Sequence, residues 1–466
     1  MTDLWAGVDV GTQSLRVLLA DADGTVVARA GVPLSSRRHG ERHEQDPAAW
    51  WAALGDAFRA ALRGVDPARV GGLAICATSG TFLVADRTGQ PHTPALMYDD
   101  ARATEEAGAQ RTWALPKLRW LLRHGPAEVR AGLADGSLAL RHCGDHLAER
   151  LTGGPVATDW TSALKTGYDQ GWHAAGIPPT ALPAVVRPGT TIGTVGPAGA
   201  AHTGLPVGVP VRAGLTDGCA AQVAAGALAP GSWNSVLGTT LVLKGVTADR
   251  LADPSGAVYS HRHPDGGWLP GGASNVGAAV VDDWFPGADR EALDRAAAGH
   301  EPAGAVVYPL RGRGERFPFV RPEATTFTLG EATGDADRYA AVLQGVAYVE
   351  RLGYAHLRRL GADTTGPLSL TGGATRSRYW SQLRADVLGR PVTLPATAEP
   401  ALGMAVVAVA GDGSLTEAAT RMVRVADTLE PRPGDRFAEP FARFVDALAD
   451  RGYVDAALAA YAKEPS

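Results

Sequence analysis

The stretch GVDVGTQSLR, residues 7–16, sets an alternating apolar run, a Gly-Thr-Gln-Ser turn and a second apolar run side by side. Alternation with period two marks a half-buried strand, and glycine with small hydroxyl residues between two such runs marks a turn. The pattern predicts a strand over 5–10, a turn over 11–14 and a strand over 15–20. A second turn follows at Asp21-Ala22-Asp23-Gly24 and a third strand over 26–32. Asp46-Pro47 then opens a helix, because aspartate suits the N-cap and proline the first helical position. Trp50, Trp51, Leu54, Phe58 and Leu62 recur behind it at helical spacing.

Working outward, a strand over 70–76 ends at Ala77-Thr78-Ser79-Gly80-Thr81. A mixed helical stretch covers 100–151, and Pro- and Gly-rich loops cover 171–210. At 211 the opening pattern restarts. A short strand ends in Leu215-Thr216-Asp217-Gly218-Cys219, an Ala-rich helix follows, and SVLGTTLVL (235–243) is again strand, tight turn, strand. The repetition is weak residue by residue, but it implies two similar α/β halves. Late in the chain, a strand over 368–370 runs into Thr371-Gly372-Gly373-Ala374. A helix begins near Arg378, a strand covers 390–394 and an apolar helix covers 401–410.

The chain has 466 residues, enough for two or three domains, and a net charge of -5. That charge gives no electrostatic reason to bind nucleic acid or an anionic membrane, so a polyanionic ligand must be held by local donors or a metal. Cys76, Cys143 and Cys219 are too few, and too widely spaced, for a disulfide framework or zinc knuckle. They imply a reducing, cytoplasmic setting. No leader peptide or membrane span is legible at the N-terminus or elsewhere.

Three Gly/Thr turns carry the chemistry: residues 9–14, Gly238-Thr239-Thr240, and Thr371-Gly372-Gly373. Glycine lets a backbone approach a phosphate and threonine adds a hydroxyl donor, although each turn alone is equally a plain hairpin. The P-loop, the dinucleotide GxGxxG and the protein-kinase motifs are all missing. Asp9 and Asp217 each close a predicted strand, where open α/β sheets place ligands. Phosphoryl transfer needs a base for the attacking hydroxyl and a cation for the phosphate charge. Asp217 also reads as a cap for the helix behind it.

The chain resembles the FGGY carbohydrate kinases in GVDVGTQSLR (7–16), EQDPAAWW (44–51), YDDAR (98–102), KLRWLLRH (117–124) and TDWTSALKTGYD (158–169). The likeness continues in GLTDGCAAQVAAGA (214–227), SVLGTT (235–240) and LTGGATRSRYW (370–380). The resemblance implies the actin-like ATPase fold: two ribonuclease-H-like domains with a cleft between them. These would be a sugar-side domain over 1–228 and a nucleotide-side domain over 229–466, the last helices able to pack back on the first. It further implies ATP and Mg2+ as cofactors, with Asp217 as catalytic base. Asp9 contacts substrate and, with Asp217, holds magnesium through water. Thr12, Gln13 and Arg16 fall on the first phosphate turn, and Gly238 and Thr239 on the second. Gly372, Gly373 and Ser377 fall at the nucleotide, and Gly272, in a loop over 271–275, is a further nucleotide-side candidate.

In this family the acceptor is read near the strand that starts at Val70. Glycerol kinases carry Arg-Glu there and typical xylulokinases Met-His, whereas this chain has Thr78-Ser79-Gly80-Thr81. With PALMYDDARA and DWTSALKTGYD, that stretch looks most like the D-ribulose kinases labelled xylulokinase-like. Ser79 would then hydrogen-bond a sugar hydroxyl. Lys165 is a second substrate candidate, one of only four lysines, with a solvated surface lysine as its alternative. His261 and His263 lack a third ligand and read as a surface loop. Cys219 reads as a buried structural thiol. Trp50 and Trp51 read as core, with Glu44 and Gln45 at the sugar cleft. The expectation is therefore phosphorylation of a terminal ketopentose hydroxyl, D-ribulose first, by a monomer or homodimer with sugar and ATP as its partners. D-xylulose and ribitol kinases are the alternatives within enzymes, and an actin-like ATPase with a structural role is the alternative outside that class.

Overall fold

The computed structural model describes residues 2–104, 113–170 and 177–464, so parts of the stretches expected over 100–151 and 171–210 lie outside the described residues. The chain forms two compact units. One takes residues up to Gly226 together with Glu399–Val423; the other takes Ala227–Ala398 together with residues from Arg424 on.

The first unit is built on a six-stranded sheet. Its order is Thr191–Thr194, Pro210–Arg212, Val70–Ala77, Leu4–Val10, Ser14–Asp21, Val26–Pro33. Leu4–Val10 pairs antiparallel with Ser14–Asp21 and parallel with Val70–Ala77, which is parallel in turn to Pro210–Arg212. Residues expected as loop thus contain an edge strand. They also contain the helix Pro197–Thr203, which opens on proline and closes on Gly204 at φ +81°. Both pieces are too short for periodicity to reveal. A second, five-stranded antiparallel sheet escapes sequence reading for the same reason. Its order is Arg37–His39, Arg42–Gln45, Ala95–Leu96, Phe82–Asp86, Leu138–His142.

Helix Pro47–Ala61 starts as its sequence demands. Asp46 caps it, accepting from the Ala48 amide at 2.9 Å, and Trp50, Leu54 and Phe58 are buried with Ala6, Val8, Val17 and Leu19 of the sheet. Trp51 is only partly buried at the edge of that core. The alternate residue of the first strand, Gly7, faces the other way. There the helix Pro400–Ala410 lies so close that a Cβ on Gly7 would collide with the carbonyl of Ala401, and one on Gly403 with the carbonyl of Ala220. This contact fastens residues 399–423 to the first unit.

The second unit has seven strands in the order Tyr259–Arg262, Trp268–Ala273, Leu241–Gly245, Trp233–Leu237, Leu368–Thr371, Val392–Pro395, Val425–Leu429. Trp233–Leu237 is antiparallel to Leu241–Gly245 and parallel to Leu368–Thr371, which is parallel to Val392–Pro395. Each unit therefore repeats one scheme of five strands: an antiparallel strand, a hairpin, and two parallel strands beside the hairpin's first arm. The weak residue-level repeat is a strict repeat of topology. Helix Asp335–Arg359 runs through this unit's core, where Glu350 pairs with Arg384 at 2.7 Å, both fully buried.

Two sequence expectations are corrected here. His261 and His263 are buried, not on a surface loop, because Tyr259–Arg262 pairs with Trp268–Ala273. Lys244 Nζ lies 2.8 Å from His261 Nδ1. Gly271 and Gly272 belong to the strand Trp268–Ala273, and a Cβ on Gly272 would collide with the Phe317 ring, so packing accounts for that glycine.

Candidate functional site

Asp9 is the penultimate residue of the first strand, and strand register supplies its surroundings. It stands opposite Arg16 across the hairpin and opposite Cys76 on the parallel strand. Both reach it: Arg16 Nη1 donates to Oδ2 at 3.2 Å and Cys76 Sγ to Oδ1 at 3.6 Å. Asp9 is 4% exposed. Burial first, and then the charge of Asp217, push its pKa up from 3.8 to about 6 against the opposing pull of Arg16. Burial and the charge of Asp9 likewise raise the Cys76 thiol, which stays a protonated donor.

Asp217 reaches the same sheet edge because Ala77 and Thr216 form a parallel bridge. It does not cap its helix. Thr216 holds the N-cap position, Asp217 is the first residue of Asp217–Ala224, and its Oδ1 accepts from the Gly218 amide at 2.8 Å. A carboxylate in the first turn is favoured by the exposed amides there. The TDWTSALK segment braces this corner. The Thr216 amide donates to Thr161 Oγ1 at 3.0 Å, and the Thr161 hydroxyl donates to Asp159 Oδ1 at 2.5 Å. Asp159 also caps the helix Trp160–Leu164.

Ser79 lies in the adjoining loop over 77–81, which two lysines clasp through its carbonyls. Lys165 Nζ donates to Ser79 O at 3.3 Å, and Lys117 Nζ to Gly80 O at 2.9 Å, Met97 O at 2.6 Å and Tyr98 O at 3.2 Å. Lys165 is 6% exposed, so it is no surface lysine. The Ser79 hydroxyl is buried without a protein partner. Sequence reasoning missed Lys117. Its signal was legible, since Lys117 shares a helical face with Ala114, Leu118 and Leu121. It also missed the roles of Cys76 and Gln45. Gln45 Nε2 donates to the carbonyl of Thr12 at 2.7 Å and its Oε1 accepts from Trp50 Nε1 at 2.7 Å, so this side chain braces the first Gly/Thr turn. Gln13 is exposed in that turn, and the Gly11 amide closes it onto Ser14 O at 3.0 Å.

The second unit carries the other turns. The Gly238 amide donates to Thr240 O at 3.1 Å, echoing Gly11, and Thr239 is exposed. Gly372 needs to be glycine, with φ +91° and the Leu237 carbonyl where a Cβ would sit. Gly238 and Gly373 have no such need: neither has positive φ, and a Cβ on either meets nothing within 4 Å. Thr371 Oγ1 donates to Asn234 Oδ1 at 3.0 Å, tying the second and third turns together. Ser377 caps the helix Arg378–Leu388, its Oγ accepting from the Trp380 amide at 2.9 Å.

Among the described residues no group of three or more His, Cys, Asp or Glu could hold a metal ion, and no helix is long and apolar enough to cross a membrane.

Comparison with known proteins agrees with these features. The model of the FGGY carbohydrate kinase N-terminal domain matches residues 4–113 and 107–224, and that of the C-terminal domain matches 233–411. The xylulose kinase of Streptomyces coelicolor is 34% identical over 441 residues, 86% of each chain, and that of Streptomyces rubiginosus 32% over 436 residues, again 86% of each. The crystal structure of a xylulose kinase from Rhodospirillum rubrum superposes with a TM-score of 0.84 at 26% identity, over 96% of this chain and 98% of that one. The repeated strand scheme is that of the actin-like ATPase fold. With both of its halves matched, the chain belongs to the FGGY family of carbohydrate kinases and is an ATP-dependent sugar kinase with Mg2+ as its usual cofactor.

Proposed function

We propose that the chain phosphorylates the terminal hydroxyl of a ketopentose, D-ribulose first, with Asp217 as general base. The observation that carries this reading is the pairing of two carboxylates at one sheet edge beside the buried, unpartnered Ser79 hydroxyl. An orphaned buried hydroxyl costs stability unless a ligand satisfies it, and a sugar brings hydroxyls in abundance. Ser79 and Asp9 bind the sugar, with Lys165 holding the loop that presents Ser79. Asp217 accepts the proton of the hydroxyl as it attacks the phosphorus.

The donor set fits magnesium. Burial, and then the like charge of Asp217, raise the Asp9 pKa, and a cation would relieve both. Two carboxylates without a third ligand suit an ion that arrives already coordinated by phosphates. Asp9 and Asp217 would hold it through water, and it supplies charge neutralisation at the transferred group. Thr12, Gln13 and Arg16 would bind phosphate from the first unit. Gly238, Thr239, Gly372, Gly373 and Ser377 would bind nucleotide from the second. The open space at Gly238 and Gly373 supports this, because no contact within the chain requires a glycine there. Gly272 would act from beneath, through its packing on Phe317.

D-Xylulose is the second reading, supported by the names of the relatives. The test is a coupled assay of the purified chain with Mg-ATP across D-ribulose, D-xylulose, ribitol and glycerol, with products identified by mass. The highest kcat/KM is expected for D-ribulose. A preference for D-xylulose would overturn the D-ribulose assignment and leave the ketopentose class standing. A preference for ribitol or glycerol would overturn both.

A further inference from the structure

Behind the 77–81 loop the first unit encloses a cavity of about 20 Å3 lined by Ser79, His142, Gly144, Asp145, Asp159 and Arg212, among others. Two buried polar atoms without a protein partner belong to side chains of this lining, Ser79 Oγ and His142 Nε2, whereas the Arg212 guanidinium lies on the other face of the sheet, against Gly189 and Thr191. Their chemistry is complementary. His142 Nδ1 lies 2.9 Å from Asp145 Oδ2 and 2.9 Å from Thr158 Oγ1; the carboxylate only accepts, so Nδ1 carries the proton that faces it. In the neutral ring Nε2 is then an acceptor. The Ser79 hydroxyl can be donor or acceptor. A water needs roughly 10–15 Å3 and two to four polar partners, and this cavity offers both.

We infer that His142 is a positioning residue for the acceptor sugar: it holds one water in this cavity that fixes the Ser79 hydroxyl from the side away from the substrate. The water donates to His142 Nε2 and bonds Ser79 Oγ. Asp145 fixes the tautomer that makes His142 an acceptor. Ser79 thereby meets the sugar with its rotor already set, and the entropy of ordering it is not charged against binding. The inference rests on the reading that Ser79 contacts the acceptor.

The decisive variant is Gly144→Ala. Gly144 lines the cavity in the first turn of the helix Cys143–Thr152, and a Cβ there meets only ordinary contacts, 3.4 Å from Ile75 O and 3.8 Å from Ile75 Cγ2. The added methyl displaces the water without unfolding the helix. The KM for the preferred ketopentose should rise about tenfold, the worth of one such bond, while kcat and the KM for ATP stay put. His142→Ala should raise the same KM, and His142→Gln, which returns a polar atom near Nε2, should recover most of it. A high-resolution crystal structure of the wild type should show the water within hydrogen-bond reach of both Ser79 Oγ and His142 Nε2. If Ser79→Ala raises the acceptor KM but Gly144→Ala and His142→Ala do not, or if the cavity is dry, this inference is overturned and the role of Ser79 stands. If Ser79→Ala leaves the acceptor KM unchanged, both fall.

Discussion

Lys117 Nζ donates to the carbonyl of Gly80 at 2.9 Å, and the same ammonium also serves Met97 and Tyr98. One buried side chain thus pins the 77–81 loop to a neighbouring segment. Burial pushes its pKa down from 10.5 to about 7, with Lys165 adding repulsion while Asp100 and Asp99 oppose the shift. The sign follows from proton counting. Between pH 7 and 10.5 the unfolded chain holds a proton that the native lysine has released, so stability rises with pH across that window, by at most about 1.4 kcal/mol per pH unit. Lys117→Met should lose this rise. Urea titrations of both proteins at pH 7, 8 and 9 would reveal it, and parallel curves would refute the assignment.

Removing the base should stop the chemistry and leave the fold intact. Asp217→Ala should lower kcat by at least ~100-fold, the usual worth of a general base, with little change in Tm because the lost Gly218 bond is offset by relief of the charge repulsion on Asp9. Near-wild-type turnover in steady-state assays would remove Asp217 from the mechanism.

Glycines in two settings should behave in opposite ways. Gly7→Ala drives a methyl into the carbonyl of Ala401 and should cost about 3 kcal/mol, read as a lower Tm. Gly238→Ala meets nothing and should leave Tm alone while raising the KM for ATP about tenfold, as one charged hydrogen bond to phosphate is lost. An unchanged KM would show that the second turn does not touch the nucleotide.

The fully buried Arg384 pairs with Glu350 and donates to Ser235 Oγ at 2.6 Å, on the strand that leads into the Gly238 turn. Arg384→Met leaves Glu350 buried and unpaired, and should destabilise the second unit by about 3–5 kcal/mol. Calorimetry should show its transition moving down; a stable variant would mean that Glu350 takes up a proton at little cost.

What could be read from the residues divides along physical lines. The strand that carries Asp9 was legible because it is an apolar run ended by glycine, and the helix at Asp46-Pro47 because its cap is local chemistry. The short strands Arg37–His39 and Ala95–Leu96 were not, since two or three residues carry no period. The surface alternative for Lys165 and the surface reading of the His261 pair fail for a different reason. Burial of a polar side chain is decided by distant partners, here the Ser79 carbonyl and Lys244, which local sequence does not name. Cys76 became informative only through register, which set it against Asp9.

The helix Pro400–Ala410 has a consequence for how the protein is made. The helix that covers Gly7 is synthesised nearly 400 residues after it. At roughly 5–20 residues per second, the face around Gly7 waits about 20–80 s for its cover. Throughout that interval the nascent first unit presents an incomplete core, and chaperone demand and sensitivity to truncation should be greatest while synthesis is passing through the second unit.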